Sequence, residues 1–492
     1  MRISLVLGVV GQLVRRFSLA FLPPMALASL DHDYGLATTF LAACLCTYVL
    51  ASLAALRFRH APVFQRAEAL AVVSLTWASV ALFGAIPYVF CGLSFTDAYF
   101  ESMSGFTTTG ATIFEDFSRY GRAIFLWRAM TQWFGGLGVI ALFLVVLPRL
   151  GIAGRQLFFA EASGAPGEAI SPQVREGASR LWVLYIALTT VLTLLLWVAG
   201  MSGFDALLHA FTTMAAGGFS PHPASIAGYQ NPAVEWILVV FMILAGTSFA
   251  LQYKVFTGRV LGFFADGEFL FYFGATLIAA IGVSFVLAEG VPNLDHLRMA
   301  AFQAASLVSS TGFASTDYNL WPDAARALLI FVMLVSGCAG SAAGGPKSIR
   351  LLLVIKRIML ETTRVLHPRA VLPLRYKKKT IPDDIVRAVY TLVTLYMGGY
   401  FLFGFATVLL GTDLITGFSA ALACLGNIGP GFGPVGPMGN FAGLSTATKW
   451  LLSIAMWVGR LEIVTVIALL HPHVLRQLRW DDPHPRPHPH TS

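Results

Sequence analysis

Among the stretches of 18 residues or more without Asp, Glu, Lys or Arg, eight are candidate membrane spans: 36–56, 69–96, 129–148, 181–204, 236–253, 269–288, 327–346 and 388–412. A helix crosses the hydrocarbon core of a bilayer with about 20 apolar residues, each rising about 1.5 Å. Two further segments are long enough but carry charge: 3–30 holds Arg15 and Arg16, and 447–471 holds Lys449, Arg460 and Glu462. The 492 residues therefore contain ten candidate spans, with Pro23-Pro24 expected to kink or end the first helix. Charged residues are 12% of the chain, against roughly 25% in a soluble domain. That excludes a soluble multidomain enzyme, a disordered chain and, despite a net charge of +8, a nucleic-acid binder. The expected class is an all-α polytopic membrane protein whose surround is the lipid bilayer.

Basic residues set the expected orientation. Arg57, Arg59 and Arg66 lie in one loop, Arg149, Arg155, Arg175 and Arg180 in a second, and Lys254 and Arg259 in a third. Segment 347–387 carries eleven, while the alternate segment 203–235 carries none. All the basic loops fall on one side of a ten-span count, which places both termini in the cytoplasm. The tail 481–492, with His484, His488 and His490 each following a proline, is expected to be disordered. The five cysteines sit in apolar runs and read as buried structural thiols.

The segments on the opposite side share one pattern. An Asp opens a short, moderately apolar stretch, and a glycine-centred element and a turn follow. The pairs are Asp97 with Gly110, Asp205 with Gly217, Asp295 with Gly312, and Asp413 with Gly429. Phe219, Phe313 and Phe432 follow three of the glycines. The short stretches are expected to be re-entrant helices, each N-capped by its Asp. Non-helical backbone at membrane depth is tolerated where it is buried in protein or lines a watery cavity. Four copies suggest a pseudo-fourfold arrangement: four units of helix, pore helix and helix around one pore, plus an N-terminal helix pair. The candidate filter residues are Thr108, Thr109 and Gly110; Ala215, Ala216 and Gly217; Ser310, Thr311 and Gly312; and Asn427, Ile428 and Gly429. Backbone carbonyls replace the water around a dehydrated cation. Glycine permits positive φ and keeps Cβ out of the path.

Two features suggest a gate. Residues 336–346 place Gly337, Gly340, Gly344 and Gly345 before Pro346, and Lys347 follows. Such a run should break the helix and leave a movable intramembrane loop; small-residue helix packing is the alternative. Arg460 lies deep in an apolar span. It stands either as a fixed charge raising a barrier to cations or as half of a buried ion pair.

Taken together, SGFTTTGAT at 104–112, WRAMTQWFGGLGVI at 127–140, AAGGFS at 215–220, LAGTSFALQY at 244–253, SSTGF at 309–313, SGCAGSAAGGPKSIR at 336–350, HPRAVLP at 367–373, CLGNIGPGFG at 424–433 and GRLEI at 459–463 are specific. By these motifs the chain resembles the Trk/Ktr/HKT superfamily of potassium transporters, most closely the membrane subunit of the bacterial Trk system. The resemblance implies potassium as transported ion, with Rb⁺ or Na⁺ as possible substitutes. It also implies a homodimer in the bacterial inner membrane, a gating loop at 336–346, and a cytoplasmic nucleotide-binding regulatory subunit of TrkA type. This chain is expected to bind no nucleotide itself, because Gly135-Gly136-Leu137-Gly138 falls inside an apolar span. The expected divisions are 1–64 (helix pair), 65–175, 176–262, 263–380 and 381–475 (four pore repeats), and 476–492 (tail). A sodium-permeable transporter, an ion-coupled potassium symporter and a rocker-type carrier are the competing readings. The spans hold no catalytic constellation, so an enzyme is not expected.

Overall fold

The computed structural model describes residues 1–56, 65–141, 172–258, 261–288, 290–377 and 379–476. Arg57, Arg59, Arg149, Arg155, Arg259, Lys378 and the tail from 477 onward lie outside the described residues. Among those described, six helices are long and apolar enough to cross a membrane, or up to eight spans if each of two bent pairs counts as one. The ten expected spans differ at two windows. Window 129–148 continues beyond Ala141, where description stops, and window 327–346 is helical only to Met333. In Asp383–Leu409 only 22% of the most apolar window is buried. Its Phe401, Leu402, Phe405 and Leu409 face outward, as they would in a hydrocarbon surround.

The N-terminal pair is Ile3–Leu30 and Tyr34–Ala55. A short 3₁₀ turn, Ser18–Phe21, interrupts the first helix, and Pro23 and Pro24 sit in the first turn of the restarted one. Proline there loses no hydrogen bond, so the kink precedes it rather than following it. Four units follow. Their first helices are Arg66–Gly84, Pro172–Val198, Gly267–Ala288 and Asp383–Leu409. Short helices come next, then second helices beginning at Arg122, Pro232, Asp323 and Thr446.

A break in the second helix was expected only in the third unit, but it recurs. Pro232–Ala245 meets Phe249–Phe256 at 108°, and Thr446–Arg460 meets Ile463–Leu470 at 106°. At the first bend the Gln252 amide donates to the Leu244 and Thr247 carbonyls at 2.8 and 2.9 Å. It thereby satisfies acceptors that the interrupted helix leaves open. In the third and fourth units the residue before the restarted helix has nearly the same backbone: Lys347 at φ +67°, ψ 129° and Glu462 at φ +62°, ψ 127°. Positive φ costs a non-glycine residue about 1–3 kcal/mol and persists only where the surroundings hold it. Here Lys347 Nζ donates to the Ala343 carbonyl, and Glu462 pairs with Arg350 at 2.7 Å.

Of the five cysteines, Cys44, Cys338 and Cys424 are buried as expected, but Cys46 is exposed and Cys91 half-buried. All five are free. Cys46 lies two residues from Cys44 on one helix and so points the other way, outward.

Candidate functional site

The four short helices are Phe95–Phe106, Gly203–Met214, Leu294–Val308 and Leu414–Leu425, with 12, 12, 15 and 12 residues. At about 1.5 Å per residue none reaches the roughly 30 Å of a bilayer core. Their caps differ from expectation. Only Asp413 is an N-cap, accepting from Thr416 N at 3.0 Å. Ser94 caps the first helix and accepts from Asp97 N at 3.2 Å; Ser202 does the same for Asp205 N at 3.0 Å. Asn293 caps the third, accepting from His296 N at 2.8 Å. The other three aspartates sit inside the first turn, where they complement the helix dipole without capping it.

At the C-termini the four units coincide. The amide of Thr109 bonds the Ser104 carbonyl at 2.8 Å, Gly217 bonds Thr212 at 2.8 Å, Thr311 bonds Ser306 at 2.9 Å, and Ile428 bonds Ala423 at 2.8 Å. The preceding residues, Thr108, Ala216, Ser310 and Asn427, have φ of +52°, +53°, +54° and +50°. This is a Schellman ending with a left-handed residue one step past the cap. Glycine normally takes that place, and an L-residue there costs roughly 1–2 kcal/mol. Four non-glycine residues in one strained conformation mark a geometry held by the whole assembly rather than by local preference.

A positive-φ glycine follows two residues later in each unit: Gly110 (+83°), Gly218 (+78°), Gly312 (+81°) and Gly429 (+105°). The second unit therefore departs from expectation by one residue. Its equivalent triplet is Ala216, Gly217 and Gly218, and Ala215 is the helix cap. The Gly-Gly pair allowed either register, and the position of the Schellman turn selects this one.

The strands close a ring. A Cβ on Gly110 would lie 2.1 Å from the Gly217 carbonyl oxygen, one on Gly218 2.0 Å from that of Thr311, one on Gly312 2.0 Å from that of Ile428, and one on Gly429 2.7 Å from that of Thr109. Each glycine thus faces the carbonyl preceding the glycine of the next unit, and the fourth returns to the first. All twelve residues named from the sequence lie in this ring or at its helix ends and are buried, apart from the half-buried Gly110 and Gly312; Gly218, next to Gly217, is half-buried as well.

Charge behind the ring escaped sequence reasoning. Arg128 Nε pairs with Glu101 Oε1 at 2.8 Å, with side chains 2% and 0% exposed. Arg128 also donates to the Ser220 carbonyl at 3.1 Å and lies 4.1 Å over the Phe219 ring. Glu101 accepts from Ile113 N at 2.9 Å. The pair ties the first strand's exit to the second's. Glu101 inside a re-entrant helix was its one visible signal.

The glycine-rich stretch 334–347 is irregular and lies against the ring. Gly344 N donates to Ser310 Oγ at 2.7 Å. A Cβ on Gly344 would come 2.2 Å from the Gly426 carbonyl. The loop is held at Cys338 N by the Gly246 carbonyl at 2.8 Å and at Ala339 N by Glu268 Oε1 at 2.6 Å. Gly340 and Gly345 take positive φ, and Gly337 packs on Ala343. Arg460, 6% exposed, donates to the Ala342 carbonyl of this loop at 3.0 Å and to the Gly135 carbonyl of the first unit at 3.1 Å. It joins the third and first units through two carbonyls, which is not the ion-pair alternative. Gly135 itself packs inside its helix against the Phe106 carbonyl.

The family model of TrkH, a cation transport protein, matches residues 37–473. The Trk system potassium uptake protein TrkH of Halomonas elongata is 37% identical over 485 residues, 97% of this chain and 100% of that protein. The corresponding TrkG of Escherichia coli is 32% identical, covering 93% and 96%. The crystal structure of the potassium transporter TrkH from Vibrio parahaemolyticus superimposes with a TM-score of 0.88 at 32% identity, covering 96% of this chain and all of that one. This multi-pass membrane chain therefore belongs to the TrkH family of cation transport proteins, which are transporters and not enzymes.

Proposed function

We propose that this chain takes up potassium across the cell membrane through the ring of four strands. The observation that carries the reading is the repetition of one strained turn and one glycine in all four units, each unit's glycine against its neighbour's carbonyl. Carbonyls of Thr108 and Thr109, Ala216 and Gly217, Ser310 and Thr311, and Asn427 and Ile428 replace the ion's water, with Gly110, Gly218, Gly312 and Gly429 completing the path. The four helices end at the ring, so their negative dipole ends favour a cation there. The likeness to potassium uptake proteins points the same way.

The loop 334–347 is the gate and Arg460 its fastening: Gly337, Gly340, Gly344 and Gly345 let it lie under the ring, and Lys347 closes its far end. In the bacterial inner membrane the basic segments put both termini in the cytoplasm. There a nucleotide-binding subunit of TrkA type moves the gate of a homodimer. The test is uptake of radiolabelled rubidium into proteoliposomes, against competing K⁺ and Na⁺, with and without that subunit. Uptake driven by the rubidium gradient alone and suppressed by K⁺ far more than by Na⁺ is the expected result. Equal suppression by Na⁺ sinks the potassium filter, and dependence on a proton or sodium gradient makes the protein a symporter.

A further inference from the structure

The second filter strand lacks what the other three have. At the position before the glycine, Thr109, Thr311 and Ile428 each place a side chain behind the strand, whereas the second strand has Gly217. Its backbone does not require glycine, because Gly217 is not among the positive-φ residues. The space is filled from elsewhere. A Cβ on Gly217 would lie 2.5 Å from both Cδ and Oε1 of Gln132, on the second helix of the first unit.

Gln132 is 0% exposed and both halves of its amide are used. Its Nε2 donates to the Gly217 carbonyl at 2.6 Å, and its Oε1 accepts from Phe219 N at 3.0 Å. The two bonds grip the strand on either side of Gly218. One turn earlier on the same helix, Arg128 holds Ser220. A backbone amide can only donate and a carbonyl only accept, so this pairing fixes the orientation of the Gln132 amide. Nε2 thereby sets the direction of a carbonyl that faces Gly110 in the ring.

We infer that Gln132 is a positioning residue for ion selection, a side chain lent by the first unit in place of the one absent at Gly217. The inference rests on the ring being the filter. It predicts a reciprocal relation: a side chain at 217 and a glutamine at 132 compete for one space.

The experiment uses full-length protein in proteoliposomes and reads the preference for Rb⁺ over Na⁺ in uptake competition, alongside elution profile in detergent. Gln132→Ala should lower the preference by about tenfold, the weight of one buried hydrogen bond. Gly217→Thr, clashing with Gln132, should lower it as much. The double variant, with Thr supplying the side chain that Thr109 and Thr311 supply, should recover most of the loss. Gln132→Glu keeps the shape and should lose preference while eluting as the unmodified protein does, because a carboxylate cannot donate to Gly217. An unchanged preference in both Gln132 variants, or a double variant no better than the worse single, overturns the inference alone. Absence of selective uptake in the unmodified protein overturns the filter reading and this inference together.

Discussion

The first and third strands of the ring face each other across it, and so do the second and fourth. The two pairs share a backbone but are supported differently. In the first pair the cap hydroxyl bonds the hydroxyl behind the strand: Thr107 to Thr109 at 2.8 Å and Ser309 to Thr311 at 2.7 Å. The second strand has Ala215 and Gly217 at those places and borrows Gln132. The fourth has Gly426 and Ile428, and Ile428 folds its own Cδ1 to where a Cβ on Gly426 would be, 2.9 Å away. Its left-handed residue, Asn427, reaches across to Thr109 Oγ1 and the Met456 carbonyl, each at 3.0 Å. The difference teaches that the main chain carries the geometry. Side chains behind it are exchangeable where they fill the space and satisfy the polar groups.

The sharpest way to break that account is to strike the main chain itself. Gly312→Ala puts a Cβ at φ +81° and 2.0 Å from the Ile428 carbonyl. Strain of about 1–3 kcal/mol plus the clash should reduce rubidium uptake by roughly a hundredfold or more. Uptake near normal would show the glycine ring to be dispensable.

Next in size is the buried charge that links the first and second strands. Arg128→Leu leaves Glu101 without its cation and should cost about 3–5 kcal/mol. Changing both partners together, Glu101→Gln with Arg128→Leu, should cost less. Thermal denaturation in detergent checks the order, and equal losses would deny the coupling.

Arg460→Ala removes the two bonds that link the glycine-rich loop 334–347, through Arg460, to the first unit. Rubidium flux without the proposed regulatory subunit should rise severalfold, and unchanged flux would sink the barrier role. The smallest effect separates the two kinds of strand. Thr107→Val removes one hydroxyl pair and should cost about 0.5–1.5 kcal/mol, whereas Ala215→Ser, which adds a hydroxyl opposite a glycine, should bring no comparable gain in midpoint.

Much of this was legible from residues alone. Uncharged runs located the first helices and the second helix of the N-terminal pair, because lipid admits little else. Four glycine-centred segments and the loop after Met333 stood out, since glycine accumulates where the backbone has no other choice. Arg460 was visible through its depth. Other features depend on contacts between distant segments. The two glycines at 217 and 218 look alike, and only the helix end tells which takes positive φ. Asp97 and Asp205 resemble caps, yet the serine three residues earlier does that work. The bends after Ala245 and Arg460 follow no proline; Gln252 in one case and the Arg350–Glu462 pair in the other stabilise them. Gln132 reads as one polar residue in an apolar helix until the second strand is laid against it.

The central claim is that a monovalent cation sits within the closed ring, between the carbonyls of Thr109, Gly217, Thr311 and Ile428. Crystals grown with rubidium in place of potassium, measured at the rubidium absorption edge, test it most directly. Anomalous density on the axis at that level, lost when sodium replaces rubidium, is the predicted result. Density absent from the ring, or undiminished in sodium, would contradict it.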